Sequence, residues 1–248
     1  MNANKLKLNP DKTEFIAVSS ARNFHKVTVD QLTLGDTNVK RVECVRNLGV
    51  LLDSTMSMKQ HVAKLCQSCY YYITWVKRIH HVLDRQTAKL IIQALVLSCL
   101  DYCNVLLLQL PDSIVKKLQC VMNTAARVVI QTTRDSSITA TLKELHWLPI
   151  KQRIQFKTAL LVYKSLHGLT PQYGSDMLTW YSPVRTLRSS NENLLTVKKS
   201  RTSYGDRAFS VAAPKLWNSL PTSIKQSTSL CSFRKQLKTY LFRQAYQI

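Results

Sequence analysis

The chain has 248 residues, 45% hydrophobic and 20% charged, with only 5 Gly and 7 Pro, which excludes collagen-like, low-complexity and wholly disordered classes. Thirty-five Lys and Arg stand against 14 Asp and Glu, a net charge of +21, and such a balance implies a polyanionic partner, nucleic acid or an anionic membrane surface. The longest nearly apolar run, residues 90–100, is broken by Gln93 and Ser98 and is too short to span a bilayer, and residues 1–13 lack the apolar core of a secretory signal.

In chain order, Asn9-Pro10-Asp11-Lys12 is a turn signal, and residues 13–18 read as a strand with Phe15, Ile16 and Val18. Val27, Val29, Leu32 and Leu34, followed by Gly35-Asp36, predict a hairpin, and residues 39–45 and 47–52 add short apolar runs. After Asp53 the period changes. Met58, Val62, Leu65, Cys69, Tyr72, Val76 and Ile79 alternate by four and three, one face of a six-turn helix. Asp84 is the expected N-cap of a second helix carrying Ala88, Ile91, Ile92, Leu95, Cys99, Tyr102 and Leu106, closed before Pro111. Asp112 is the expected cap of a third, with Val115, Leu118, Met122, Ala125 and Val129 inward; three amphipathic helices on short links pack as a bundle. Beyond a polar link at 132–137, a short helix over 138–145 leads to His146-Trp147-Leu148-Pro149. A longer helix from Ile150 through Ile154, Ala159, Leu161, Val162 and Leu166 stops at Gly168, and Pro171 opens a turn or two more, to about Leu178. Residues 182–203 are polar, basic and aperiodic, a loop or loosely held hairpin. Helices over 208–217 and 233–241 close the chain, the last with Phe233, Leu237 and Leu241 inward.

The chemistry-bearing residues are few. Cys66-x-x-Cys69 with His80-His81 is the only metal-like spacing, but both thiols lie in a helical apolar stripe and the histidines are contiguous, so buried thiols are the better reading. The seven cysteines, spread through apolar surroundings, read as reduced thiols of an intracellular protein, nuclear or cytoplasmic. No Gly-x-Ser-x-Gly or phosphate-loop pattern occurs, and no Asp-Asp pair, so the carboxylate cluster that two-metal polymerases and nucleases need is missing. Basic side chains remain. Residues 125–248 hold 19 basic and 5 acidic residues, against 16 and 9 in residues 1–124. Lys151, Arg153, Lys157 and Lys164 lie on one helix; Lys198, Lys199, Arg201 and Arg207 lie near Tyr204; Arg234, Lys235, Lys238 and Arg243 lie on the last helix. Cations at this density neutralise phosphates, and neighbouring aromatics stack on unpaired bases.

Five stretches, in order, carry a family likeness: Leu6-Lys7-Leu8-Asn9-Pro10-Asp11-Lys12-Thr13-Glu14; Asn47-Leu48-Gly49-Val50-Leu51-Leu52-Asp53; Ser98-Cys99-Leu100-Asp101-Tyr102-Cys103-Asn104; His146-Trp147-Leu148-Pro149-Ile150 with Arg153-Ile154; and residues 204–221, from Tyr204-Gly205-Asp206-Arg207 through Ala213-Pro214-Lys215-Leu216-Trp217-Asn218 to Pro221. Together they resemble the C-terminal part of a LINE-type, non-LTR retrotransposon reverse transcriptase, an RNA-directed DNA polymerase. The resemblance implies that the sequence starts after the palm motif Tyr-x-Asp-Asp, whose aspartates hold Mg²⁺ in the intact enzyme, so this chain alone would have no cofactor and no polymerase activity. Lys12 would match the palm lysine that protonates pyrophosphate, a role only an intact enzyme could use, and Leu48, Gly49 and Val50 would lie near the primer strand.

The expected fold is α+β, mainly α: a palm-end β-rich segment over 1–55, a thumb-like helical bundle over 56–131, a helical extension over 132–181, and a basic loop with C-terminal helices over 182–248. The expected partners are RNA, single-stranded DNA or an RNA–DNA hybrid, with no membrane. Nucleic-acid contacts are expected from Leu48, Gly49, Val50, Lys151, Arg153, Lys157, Lys164, Lys198, Lys199, Arg201 and Arg207. Without the central palm strands, an apolar face of Phe15, Ile16, Val50 and Leu51 would be uncovered and would drive self-association, while a helical unit from about 58 to 178 would stand alone. Two other readings remain open: a recruited, non-enzymatic nucleic-acid-binding module, and a relic reading frame without selected function.

Overall fold

A computed structural model describes residues 9, 12–20, 22–34, 37–133, 136–182 and 193–248. The expected turn at Pro10-Asp11, the residues Gly35-Asp36, part of the 132–137 link and residues 183–192 lie outside the described residues. The fold is α+β and mainly α, with two small antiparallel sheets ahead of the helices. Among the described residues no helix is long and apolar enough to cross a membrane. The chain forms two compact units, Met1–Lys64 and Leu65–Ile248, where the sequence marks four segments.

In the first unit, β1 (Gln31–Leu34) pairs with β2 (Thr37–Lys40), and β3 (Cys44–Asn47) with β4 (Val50–Asp53). Leu48 and Gly49 join the second pair at φ +46° and +85°, the doubly left-handed turn that matches strand twist. Leucine in that position costs about 1–2 kcal/mol, which the hairpin on either side sustains. Residues 13–18 are not a strand: only Phe15 forms a bridge, parallel to Arg41. Arg41 gathers this region itself. Its guanidinium donates to the carbonyls of Val27 and Val29, pairs with Asp30 at 3.0 Å, and lies over the Phe24 ring.

Asp53 ends β4 and organises the turn into α1 (Lys59–Ile79). Its carboxylate accepts from the backbone N–H groups of Thr55, Ser57 and Met58 and from the hydroxyls of Thr55 and Ser57, at 2.7–3.1 Å. Burial alone would raise this carboxyl; the five donors outweigh it and hold it below the ordinary carboxylate range. Met56 and Met58, both at positive φ, are carried through the turn by those bonds. His61, on the first turn of α1, accepts the Leu51 N–H through Nδ1 at 3.4 Å, and burial lowers its pKa. The apolar face expected to be open is therefore partly closed. Val50 is only 4% exposed, Phe15, Ile16 and Leu51 are half-buried, and Met58 and Val62 are buried.

In the second unit α1 buries Cys69, Ile73 and Val76; Ile79, expected inward, is exposed because the helix ends there and passes into a 3₁₀ turn at His80–Val82. Asp84 caps α2 (Arg85–Ile92), accepting from the N–H groups of Gln86 and Thr87. A π-helical turn at Gln93–Leu97 then changes the register before α3 (Ser98–Asp101). Ala88, Ile92, Val96 and Leu100 are buried at a spacing of four, whereas Leu95, Tyr102 and Leu106 are exposed. The expected helix to Leu106 stops at Asp101, since Cys103 adopts φ +49° and Asn104–Leu107 is 3₁₀.

Pro111, not Asp112, occupies the N-cap position of α4 (Asp112–Ile130), and Asp112 is its first helical residue. A first-turn carboxylate favours the positive end of the helix dipole without capping it. Ser137 caps α5 (Ile138–Glu144). The next helix, α6 (Ile150–Leu166), ends on Gly168 at φ +67°, with the Leu169 N–H returning to the Lys164 carbonyl at 2.8 Å.

Past α7 (Gln172–Asp176), residues 179–181 pair with 194–196 around a Trp180–Leu195 bridge. This segment is not loose. Leu195 is buried, and the Asn218 side-chain amide holds both its backbone groups at 2.8 Å, while the Trp217 indole donates to the Asn193 carbonyl. The helices α8 (Phe209–Asn218), α9 (Thr222–Lys225) and α10 (Leu230–Tyr246) then complete a core with α6. Tyr163, Trp217 and Phe233 stack at its centre, with Leu237 and Leu241 beside them and the Tyr163 hydroxyl bonded to the Ser227 carbonyl. A helical unit ending near 178 would therefore lose the partners of α6.

Candidate nucleic-acid interface

Helices α6 and α10 pack together and carry eight Lys and Arg and no Asp or Glu. On α10 the buried stripe Phe233–Leu237–Leu241 fixes the rotation, so Arg234 and Lys238, four residues apart, project together at its flank. On α6 the burial of Ile154 and Thr158 does the same for Arg153 and Lys157. The two pairs line one cavity of about 420 Å³, closed by Gln93, Leu97, Ser98 and Asp101 from the π-turn and α3, by His146, Trp147 and Leu148, and by Phe156.

Charge and backbone irregularity meet in this cavity. It holds four cations and one carboxylate. Asp101 accepts from Arg153 Nε at 2.9 Å and from its Nη2, and from Asn104 at 3.3 Å, so Arg153 is neutralised within the fold. Lys157, Arg234 and Lys238 are exposed and have no carboxylate partner among the described residues. The buried Trp147 indole N–H is also without an acceptor among the described residues. His146 stands at φ +55° and packs on Phe242, and the lining includes the π-turn, the kind of backbone irregularity that recurs at functional sites. Chemically, the cavity offers donors and positive charge to an anion, and the Ser98 hydroxyl on its wall donates to the Ala94 carbonyl.

The other expected contact residues are dispersed. Lys151 faces a different cavity of about 370 Å³, with Lys215, Leu108 and Ile154. Lys164, half-buried, sits in the last turn of α6, where a cation complements the helix dipole. Lys198, Lys199 and Arg201 are exposed on the segment before the 3₁₀ turn Gly205–Arg207, in which Arg207 is half-buried. On the β3–β4 hairpin Leu48 is 83% exposed and Gly49 is exposed, but Val50 points into the protein and is not available to a strand of nucleic acid. Lys12 is exposed beside a turn in which its N–H and the Thr13 hydroxyl return to the Asn9 carbonyl.

Nothing in the local sequence pattern marks His146 and Trp147 as cavity walls; the i, i+4 spacing of Arg153–Lys157 and Arg234–Lys238 beside apolar stripes is the signal that points to the cavity. At the Cys-x-x-Cys stretch, Cys69 is fully buried, its thiol pushed up to about 12 by burial, and Cys66 is raised for the same reason. The His80 ring bonds back to the Lys77 carbonyl at 2.6 Å. Among the described residues no three His, Cys, Asp or Glu side chains are grouped to hold a metal. No protein-family model, curated protein or solved structure matches the chain.

Proposed function

We propose that the chain binds nucleic acid through its second unit, as the thumb and C-terminal extension of a reverse transcriptase-like protein whose Mg²⁺-holding aspartates are not in this sequence. The supporting observation is the α6–α10 cavity, where the exposed Lys157, Arg234 and Lys238 converge with no carboxylate partner among the described residues. Phosphate contact by these cations releases counterions, so affinity falls linearly with salt on logarithmic axes. The reading assigns the chain binding rather than chemistry.

The test is fluorescence anisotropy of the full chain with a labelled 20-nucleotide RNA across a salt series. Each phosphate contact on a single strand contributes about 0.7 to the slope, so Lys157→Glu with Lys238→Glu lowers it by about 1.4 or more and weakens binding. Salt-independent binding, or an unchanged slope in that variant, refutes the proposal.

A further inference from the structure

On α1, the side opposite the buried Cys69, Ile73 and Val76 presents Tyr71, Trp75 and Arg78. At 3.6 residues per turn these three fall within a stripe about 60° wide, and Tyr71 and Trp75 stand one turn apart. Their ring centroids are 6.1 Å apart, edge to face, and the Arg78 guanidinium lies 5.1 Å from the centre of the Trp75 ring. Tyr71 is 60% exposed and Trp75 50%, a large apolar area to leave in water on a helix whose other face is buried. Tyr70 and Tyr72 behave differently: Tyr70 is tied to Thr124, and Tyr72 is half-buried against the Tyr71 ring. Tyr70 is 40% exposed, so Tyr71 and Trp75 are the most exposed aromatic rings of α1.

The charge around it selects the occupant. Helix α1 contains four Lys and Arg and no Asp or Glu, and of its cations Arg78 lies over the Trp75 ring. The unit to which this part of α1 belongs holds 25 basic and 8 acidic residues. A basic protein partner or a second copy of this basic unit would be repelled, and a purely apolar partner would strand the Arg78 cation. Unpaired bases have apolar faces to stack on the rings and phosphates to meet the cations, whereas a duplex hides those faces.

We infer that Tyr71 and Trp75, backed by Arg78, form a base-stacking platform that makes the chain select single-stranded over double-stranded nucleic acid. This rests on the nucleic-acid reading above but on a different surface, so the two fail separately. Stacking on Tyr71 and Trp75 is tolerant of sequence, since every base has a π-face.

The experiment compares the full wild-type chain, Tyr71→Ala/Trp75→Ala and Lys157→Glu/Lys238→Glu, each with matched far-ultraviolet circular dichroism. The probes are oligo(rU) of 20 nucleotides, a 20-base-pair duplex, and inorganic polyphosphate as a polyanion without bases. The wild type prefers oligo(rU) to the duplex. The aromatic variant loses about tenfold or more on oligo(rU) and keeps its polyphosphate affinity, while the charge-reversal variant loses both. An aromatic variant that binds oligo(rU) like the wild type overturns the platform. So does one that loses polyphosphate equally, or one whose only change is from oligomer to monomer, which assigns the stripe to a second copy. A wild type that binds neither polymer overturns both readings.

Discussion

Removing the guanidinium of Arg153 separates a fold contact from a nucleic-acid contact. Arg153 and Asp101 join α6 to α3 with side chains only 18% and 25% exposed, and the guanidinium meets both carboxylate oxygens. Breaking a fully buried pair from one side costs about 3–5 kcal/mol, because the other charge stays behind without a partner. Residual exposure and the Asn104 donor discount that here to about 2–3 kcal/mol. For a unit of this size each kcal/mol moves Tm by about 2–4 °C, so Arg153→Ala lowers it by about 4–12 °C. Asp101→Ala does the same, and the double variant is less unstable than the two losses added, since neither charge is left alone. Chemical denaturation followed by tryptophan fluorescence gives these energies, and the RNA salt series gives the second readout. Arg153→Ala leaves the salt slope near the wild-type value, whereas Lys157→Ala lowers it by about 0.7. An Arg153→Ala protein as stable as the wild type, or one whose salt slope falls as far as that of Lys157→Ala, refutes the assignment.

The carboxylate of Asp53 should set an acid limit on the first unit. Its pKa is lowered on folding, so its contribution is complete above the unfolded value of about 3.9 and is lost as pH falls through the folded one; Asp53→Asn removes that step and costs about 2–4 kcal/mol at neutral pH, read from denaturation at pH 7 and across the acid limb, and equal acid sensitivity in both proteins would contradict it. Cutting the chain after residue 180 removes Trp217, Phe233, Leu237 and Leu241 from the core on α6, so a 56–180 fragment should aggregate or lose near-ultraviolet dichroism, and Phe233→Ala in the full chain should cost about 3–5 kcal/mol; a soluble 56–180 fragment with cooperative unfolding would show that α6 is stable without them.

What the sequence disclosed tracks how local the determining physics is. The cap at Asp84, the glycine stop at Gly168 and the Phe233–Leu237–Leu241 stripe depend on a few neighbouring residues, and the structure shows each one. The π-turn at Gln93–Leu97 was not legible, because a spacing of four among Ala88, Ile92, Val96 and Leu100 fits an α-helical stripe nearly as well. The helix end at Asp101 and the left-handed Cys103 beyond it have no glycine or proline to announce them, and Leu48 sits in a turn that favours Asn or Gly. At the candidate site the cations were visible as residues, but convergence was not. Whether Lys151 or Lys157 joins Arg234 depends on how α6 and α10 pack, and the structure sends Lys151 to the other cavity.

The residues within the five stretches on which the proposed likeness rests mostly hold the fold together. Asp53 binds the turn ahead of α1, Asp101 binds Arg153, Trp147 walls the cavity while its carbonyl accepts from Tyr246, and Trp217 and Asn218 clamp residues 193–195. A carboxylate spent on five donors or on a guanidinium is not available to a metal ion or a substrate, so these motif acids are explained without chemistry. The same reasoning sorts the cations. Arg41, Arg85 and Arg153 are paired internally, with Asp30, Glu144 and Asp101, and their positive charge is offset where it stands. Lys157, Arg234 and Lys238 have no such partner among the described residues, yet the fold brings them to one cavity, where their mutual repulsion works against stability. A polyanion bound there relieves that repulsion. The protein should therefore gain thermal stability from polyphosphate or RNA in proportion to their affinity, and Lys157→Glu/Lys238→Glu should lose that gain while its unliganded Tm stays level or rises. A charge-reversed protein that melts lower than the wild type and is still stabilised by RNA would mean that these cations serve the fold, and that the nucleic acid binds elsewhere.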